Sequence, residues 1–113
     1  MKREALSGHE GENAAVRLLE GLGYQVIARN VRLPGGEIDI IARERGTIVF
    51  VEVKARSSRR FGSALAAVDA RKRATLRGLA ADWLQIAAPG AHARFDVVTV
   101  EGGRARLHRG AFA

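Results

Sequence analysis

Four charged side chains lie within two predicted strands that are built mainly from Ile, Val and Phe. They are Glu37, Asp39, Glu52 and Lys54. Two converging carboxylates supply the hard oxygen ligands that Mg²⁺ prefers, and an ion bound there would polarise a water molecule and lower its pKa. A lysine beside the ion could orient that water or stabilise negative charge on a phosphate. This set of groups could therefore cleave a phosphodiester, provided that the fold brings them together.

Whether the carboxylates converge depends on the hairpin that carries them. Arg45-Gly46 fits a two-residue loop, the commonest length, between strands over residues 37–44 and 47–54. With this loop, Asp39 stands opposite Glu52, and opposed residues share one side of a sheet. A slip of one residue in the register would place the two side chains on opposite faces.

The two sides of the predicted hairpin differ in polarity. One side is apolar beyond the residues next to the loop, and we expect it to face the core. Its pairs are Ala42 with Val49, Ile40 with Val51, and Ile38 with Val53. The other side is apolar near the loop and charged at the far end, so it should be half covered, and the first helix is a candidate to cover it.

Asp39 opposite Glu52 is an unfavourable pair that needs a compensating group. At ~5 Å and an effective dielectric constant of ~20, the repulsion is on the order of 3 kcal/mol. A proton, a nearby cation or a bound metal would offset it. The alternative is that Glu37 pairs with Lys54, and Asp39 with some arginine. These would be simple surface ion pairs that contribute little to the free energy of folding.

Hydrophobic periodicity and turn residues predict the elements that must position these groups. The first helix covers about residues 9–22, with Ser7 as a possible N-cap, and the second covers about 69–87, with Asp69 as its N-cap. The predicted strands are 24–30, 37–44, 47–54, 95–100 and 104–108. The order helix, three strands, helix, two strands predicts one α/β domain over residues 1–113, in which a mixed sheet is flanked by helices.

The charge balance of the 113-residue chain favours a polyanionic partner. Lys and Arg number 19 against 12 Asp and Glu, a net charge of +7. Nucleic acid is the first candidate and an anionic membrane surface the second, and an ordinary charged surface is the alternative. The chain has no Cys, its start lacks the apolar region of a secretory signal, and no apolar run is long enough to span a bilayer. We therefore expect a cytoplasmic protein that does not act at a membrane.

Further charged residues could extend the site. Glu12, at the edge of the first helix's apolar stripe, could approach the sheet, or it could simply reach water. Lys72, at the start of the second helix, could meet a phosphate near the helix-end N–H groups, or it could snorkel. Arginines after the 47–54 strand and at the start of the second helix could bind a nucleic-acid backbone, or they could be solvated. They are Arg56, Arg59, Arg60, Arg71 and Arg73. The three histidines show no metal-ligand spacing and are predicted to be surface residues.

Asp39 followed by Glu52-Val53-Lys54 at the end of an apolar strand resembles the PD-(D/E)XK nuclease superfamily, whose fold is restriction-endonuclease-like. The fuller pattern resembles the YraN-type family of small, endonuclease-like bacterial proteins, and it is similar to archaeal Holliday-junction resolvases. The matching pieces are Gly11-Glu12-Asn13-Ala14-Ala15, Gly23-Tyr24, Arg29-Asn30, Gly36-Glu37-Ile38-Asp39, Phe50-Val51-Glu52-Val53-Lys54, Arg56, Lys72 and Arg94-Phe95-Asp96-Val97-Val98. Ile38 stands where the superfamily's name expects Pro.

The resemblance implies roles for five residues of this region. Asp39, Glu52 and the Val53 carbonyl would hold Mg²⁺ or Mn²⁺, Lys54 would orient the attacking water, and Glu12 would be the helical acid. The implied function is that of a DNA endonuclease, with branched or structured DNA as a candidate substrate and a homodimer as a hypothesis. A non-catalytic nucleic-acid-binding domain of the same fold is one alternative. A basic module that docks an acidic protein is another.

Overall fold

The computed structural model describes residues 8–56 and 68–113. Its elements are α1 (Gly8–Gly21), β1 (Gln25–Leu33), β2 (Gly36–Glu44), β3 (Thr47–Arg56), α2 (Ala70–Ala87), β4 (Ala93–Glu101) and β5 (Arg104–Phe112). The predicted order of helices and strands is confirmed, although β1 and β5 extend further than predicted. Ser7, the possible cap of the first helix, lies outside the described residues. Neither α1 nor α2 is long and apolar enough to cross a membrane.

The five strands form one mixed sheet in the order β1-β2-β3-β4-β5. Strands β1, β2 and β3 pair antiparallel, β3 pairs parallel with β4, and β5 returns antiparallel to β4. A parallel pair needs a crossover connection, and α2 supplies it between β3 and β4. This is an α/β fold compatible with a restriction-endonuclease-like core, as the sequence predicted.

Local signals set the hairpin and the start of α2. Arg45 and Gly46 have φ angles of 51° and 81°, the left-handed pair that a tight two-residue hairpin loop requires. Ile40 therefore pairs with Val51, and the predicted register is confirmed from the loop as far as this pair. The direct pairs predicted beyond it, Asp39 with Glu52 and Ile38 with Val53, are not part of the ladder. At α2, the Asp69 side chain accepts the backbone N–H of Lys72 at 3.0 Å, which confirms the predicted N-cap.

Each face of the sheet carries its own core. On one face, Ala15 and Leu19 of α1 pack with Ile40, Val51 and neighbouring residues. On the other, Leu79 and Ala80 of α2 pack with an apolar group of Ile38, Ile41, Ile48 and Phe50. The expectation that the first helix would cover the mixed face of the hairpin is therefore wrong. That helix covers the apolar face, and α2 covers the face that ends in charged residues.

The side chains of β2 stop alternating regularly between the two faces of the sheet at Asp39. Ile38 packs on the α2 side together with Ile41, whereas Ile40 packs on the α1 side. The prediction that Ile38 shares a face with Ile40 is therefore wrong. On the adjacent strand β1, Asn30 has a φ of 52° and stands between the paired residues that flank Asp39. Asparagine tolerates this left-handed conformation better than most residues, so the pleat can change here.

Candidate active site

Asp39 marks the point where β2 and β3 stop pairing. The two strands pair regularly from the hairpin loop as far as Ile40 and Val51. Beyond that pair, Asp39 Oδ2 accepts the backbone N–H of Val53 at 2.8 Å. In a continuous ladder a backbone carbonyl of β2 would accept this N–H. The Asp39 carboxylate therefore lies between the two strands, next to the backbone of the residue that follows Glu52.

Glu52 is almost completely buried, with 4% of its surface exposed. Among the described residues, its Oε1 has no hydrogen-bond partner. Its Oε2 faces Lys72 Nζ at 3.5 Å and Lys54 Nζ at 3.9 Å. A buried carboxylate oxygen without a donor is rare in folded proteins, and a bound cation would satisfy it.

The pKa values of Asp39 and Glu52 are both raised, and burial is the largest cause for each. Burial and the negative charge of Asp39 raise the pKa of Glu52 to about 7, although Lys72 and Lys54 act in the opposite direction. Burial also raises the pKa of Asp39, against a smaller opposite effect of the Val53 N–H. The repulsion expected from the sequence is therefore present, and two lysines are the nearby cations that partly offset it.

Glu12 reaches the same region from α1. It is 5% exposed, and its Oε1 accepts hydrogen bonds from Arg29 Nη2 at 2.8 Å and Asn30 Nδ2 at 3.0 Å. Its negative charge contributes to the raised pKa of Asp39. The alternative of a glutamate that simply reaches water is therefore wrong. Because its carboxylate is bound by two side chains of β1, Glu12 fixes the position of that strand beside Asp39.

A groove of about 740 Å³ opens beside Asp39 and is lined by residues of α1, β1, β2 and β3. Its volume is within the usual range for ligand sites. The charged and titratable residues that line it are His9, Glu12, Arg32, Glu37, Asp39 and Lys54.

Glu37 and Lys54 do not pair with each other. Glu37 pairs with Arg32 at 4.0 Å, and Lys54 pairs with Glu52. The alternative of a Glu37–Lys54 surface pair is therefore wrong.

Lys72 lies beside Glu52, whereas the sequence suggested that it would either meet a phosphate or snorkel. Its ammonium group faces Glu52, and 38% of its side chain is exposed. Arg71, the residue before it, is exposed on the first turn of α2. These two residues remain candidates to contact a phosphate backbone.

The other predicted nucleic-acid-binding residues are placed differently. Arg73 Nε donates to the Val68 carbonyl at 2.8 Å, and its guanidinium lies 5.6 Å from the centre of the Phe112 ring. Arg73 is thus held against the residue that precedes the α2 cap and against β5. Arg56 ends β3, whereas Arg59 and Arg60 lie outside the described residues.

Several residues of this region had no role assigned from the sequence. Arg29 and Asn30 belong to the resemblance pattern, and the structure shows that they bind Glu12. Arg32 and His9 line the groove. An asparagine inside a β-branched strand is a weak signal for an irregular backbone, and Asn30 carried that signal. The contribution of His9 and Arg32 depends on how α1 and β1 pack, which no local pattern specifies.

The fold and the site together define a small α/β protein that holds two acidic and two lysine side chains where its central strands part. Residues 11–100 match the model of the Uncharacterised protein family UPF0102, and the chain belongs to that family. The matched span includes Glu12, Asp39, Glu52, Lys54 and Lys72. The family description assigns no activity.

Relatives from several bacteria are similar over most of their length. A UPF0102 protein of Burkholderia pseudomallei (strain 1710b) is 52% identical over 103 residues, which cover 89% of this chain and 71% of the relative. A UPF0102 protein of Symbiobacterium thermophilum is 47% identical over 111 residues, which cover 93% of this chain and 94% of the relative. A UPF0102 protein of Burkholderia mallei (strain NCTC 10229) is 52% identical over 103 residues, which cover 89% of this chain and 71% of the relative.

Proposed function

We propose that this protein is a metal-dependent DNA endonuclease of the PD-(D/E)XK, restriction-endonuclease-like type. One observation carries the proposal. Asp39 and Glu52 lie together where β2 and β3 part, beside Lys54, and Glu52 Oε1 is buried without a hydrogen-bond partner among the described residues. Structural cores rarely leave a buried carboxylate oxygen without a hydrogen-bond partner, and a bound cation would satisfy it.

The donor atoms fit Mg²⁺ or Mn²⁺. Asp39, Glu52 and the Val53 carbonyl would hold the ion, which takes oxygen ligands and keeps several waters of its own. Within residues 8–56 and 68–113, no group of three or more Asp, Glu or His side chains could hold a metal. A site of two carboxylates agrees with the coordination habits of Mg²⁺. The bound ion would lower the pKa of a coordinated water to supply hydroxide for phosphodiester cleavage.

Lys54 would act on substrate and water, whereas Glu12 and Asp39 hold the strands around the site. Lys54 lines the groove and stands beside Glu52, where its ammonium group can orient the attacking water and stabilise negative charge on the phosphate. Glu12 keeps β1 in place through Arg29 and Asn30. Asp39 holds the N–H of Val53 and so keeps the two strands parted.

Nucleic-acid binding is supported by the distribution of positive charge. The chain carries a net charge of +7, and Arg32, with 85% of its side chain exposed, lines the groove. Arg71 is exposed on the first turn of α2. Backbone phosphates bind such residues without sequence preference. Cutting both strands of a duplex or junction would take two active sites, so the proposal includes a homodimer on the substrate.

A cleavage assay tests the proposed activity directly. The purified protein is incubated with labelled duplex, single-stranded and four-way-junction DNA, in Mg²⁺, in Mn²⁺ and in EDTA. We expect cleavage that depends on metal and is lost in Asp39→Asn and Glu52→Gln, which keep the side-chain shapes but remove the charges. Glu20→Gln makes the same change on the exposed face of α1 and should leave cleavage unchanged.

A non-catalytic DNA-binding domain of the same fold is the second candidate. It is favoured by the contacts of Glu52 with Lys72 and Lys54, which already compensate much of the acidic charge without a metal. Isothermal titration calorimetry separates the two candidates. Binding of DNA with no measurable binding of Mn²⁺ and no cleavage would support this second function and contradict the first.

A further inference from the structure

Two lysines from different elements converge on one oxygen of Glu52. Lys54 follows on the same strand, whereas Lys72 comes from the first turn of α2, and their Nζ atoms lie 3.9 Å and 3.5 Å from Glu52 Oε2. The carboxylate they face is 4% exposed. The cluster therefore contains its own counter-ions before any metal arrives.

The formal charges of this cluster balance without a metal. Asp39 and Glu52 contribute two negative charges when ionised, and Lys54 and Lys72 contribute two positive charges. A divalent ion held by the carboxylates would stand next to both ammonium groups and repel them, since screening by water is weak at a buried site. The positive excess that results would be removed by a group that brings negative charge, and a nucleic-acid phosphate is such a group.

The two lysines differ in how easily their side chains can change partner when an ion binds. The Lys72 backbone N–H is fixed by the Asp69 cap, but 38% of its side chain is exposed, against 28% for Lys54. A lysine ammonium on its four-carbon stem can change partner without movement of the backbone. Lys72 can therefore leave Glu52 while α2 stays in place.

We propose that Lys72 is an exchangeable counter-ion that couples the binding of metal and nucleic acid. In the free protein it neutralises Glu52 and weakens the affinity for a divalent ion. When the ion binds, Lys72 turns from Glu52 to a phosphate of the nucleic acid, so that each ligand strengthens the binding of the other. This inference rests on the proposed function, because it requires that both ligands bind at this site.

Calorimetry with Ca²⁺ and a short DNA duplex measures the coupling without relying on cleavage. Ca²⁺ is titrated into the protein with and without DNA, DNA is titrated with and without Ca²⁺, and a gel checks that the DNA stays intact. We expect each ligand to tighten the other's binding by the same factor, about tenfold or more, because such coupling is reciprocal. In Lys72→Met, Ca²⁺ alone should bind about tenfold more tightly and the coupling should fall below about threefold.

Two variants serve as controls for charge, and melting curves serve as the control for folding. Lys72→Arg keeps a positive charge at this position and should preserve most of the coupling. Arg17→Met removes one positive charge from the exposed face of α1 and should change neither Ca²⁺ affinity nor coupling. Circular dichroism melting curves check that each variant folds.

The possible outcomes separate this inference from the proposed function. If Ca²⁺ and DNA both bind and Lys72→Met matches the wild type in Ca²⁺ affinity and coupling, the counter-ion role is wrong and the proposed function stands. If neither Ca²⁺ nor Mn²⁺ binds, with or without DNA, the proposed function is wrong and the role of Lys72 is overturned with it.

Discussion

Tyr24 and Asp96 are 72 positions apart in the chain, yet the tyrosine hydroxyl donates a buried hydrogen bond to Asp96 Oδ2 at 2.8 Å. Asp96 is fully buried and also accepts Arg94 Nε at 3.0 Å and the backbone N–H of Gly110 at 2.9 Å. Arg94 in turn donates to Glu44 at 2.8 Å. This network joins Tyr24, which follows α1 and is bonded to it through the Leu19 carbonyl, to strands β2, β4 and β5. It therefore holds the helix that carries Glu12 against the sheet.

Asp96→Asn should lower the free energy of unfolding by about 3 kcal/mol, because it removes the buried charge that balances Arg94. Urea denaturation followed by circular dichroism measures the change. Asp82→Asn makes the same substitution on the exposed surface of α2, and it should stay within about 0.5 kcal/mol of the wild type. Similar losses in the two variants would show that the buried network contributes nothing specific.

The sequence predicted those parts of the fold that depend on neighbouring residues. The Arg45-Gly46 loop and the alternation of apolar residues specified the register of the hairpin, and Asp69 specified the start of α2. Each of these signals acts within a few residues of chain. This register directed Asp39 toward Glu52, although the ladder itself ends one pair earlier, at Ile40 and Val51.

Other features required knowledge of how distant segments pack. The break in the pleat at Asp39 involves Asn30 on a different strand, and alternation within β2 alone predicted the wrong face for Ile38. Lys72 lies 20 positions beyond Glu52, and no local pattern specifies that α2 brings its ammonium group to that carboxylate. The hydrogen bond between Tyr24 and Asp96 likewise depends on the packing of distant segments.

Substitutions of Asn30 should separate the backbone conformation of this residue from its hydrogen bond to Glu12. Asn30→Val must place a β-branched residue at a φ of 52°, which should cost about 2 kcal/mol of folding free energy. Asn30→Gly also loses the bond to Glu12 but adopts this φ freely, so its loss should be about 1 kcal/mol. Urea denaturation measures both. Equal losses would show that the backbone conformation is not what this position requires.

Two glycines in helices should respond in opposite ways to alanine. At Gly78, within α2, a Cβ would meet nothing within 4 Å, so Gly78→Ala should stabilise the protein by up to about 1 kcal/mol. At Gly11 a Cβ would lie 3.1 Å from the Ala55 Cβ, so crowding between α1 and β3 should cancel that gain or reverse it. Melting temperatures of both variants test the comparison. Equal stabilisation would show that α1 can move away from β3 at no cost.

The raised pKa of Glu52 makes the metal-free protein sensitive to pH. Burial and the charge of Asp39 shift this pKa from 4.5 to about 7. The folded state therefore binds a proton more tightly than the unfolded state does. The stabilisation that this proton provides is complete below pH ~4.5 and is lost as the pH rises through ~7.

In EDTA, the free energy of unfolding of the wild type should fall between pH ~5 and ~8, relative to that of Glu52→Gln. The expected fall is on the order of 3 kcal/mol, which corresponds to a pKa shift of this size. Glu52→Gln carries no charge at any pH, so the difference between the two proteins isolates this one group from the histidines that titrate in the same range. Urea denaturation at several pH values measures both proteins. Parallel pH profiles would show that Glu52 is solvated more than its burial implies.

Saturating Mn²⁺ should restore the stability of the wild type at pH ~8. An ion that binds only the folded state shifts the folding equilibrium toward that state.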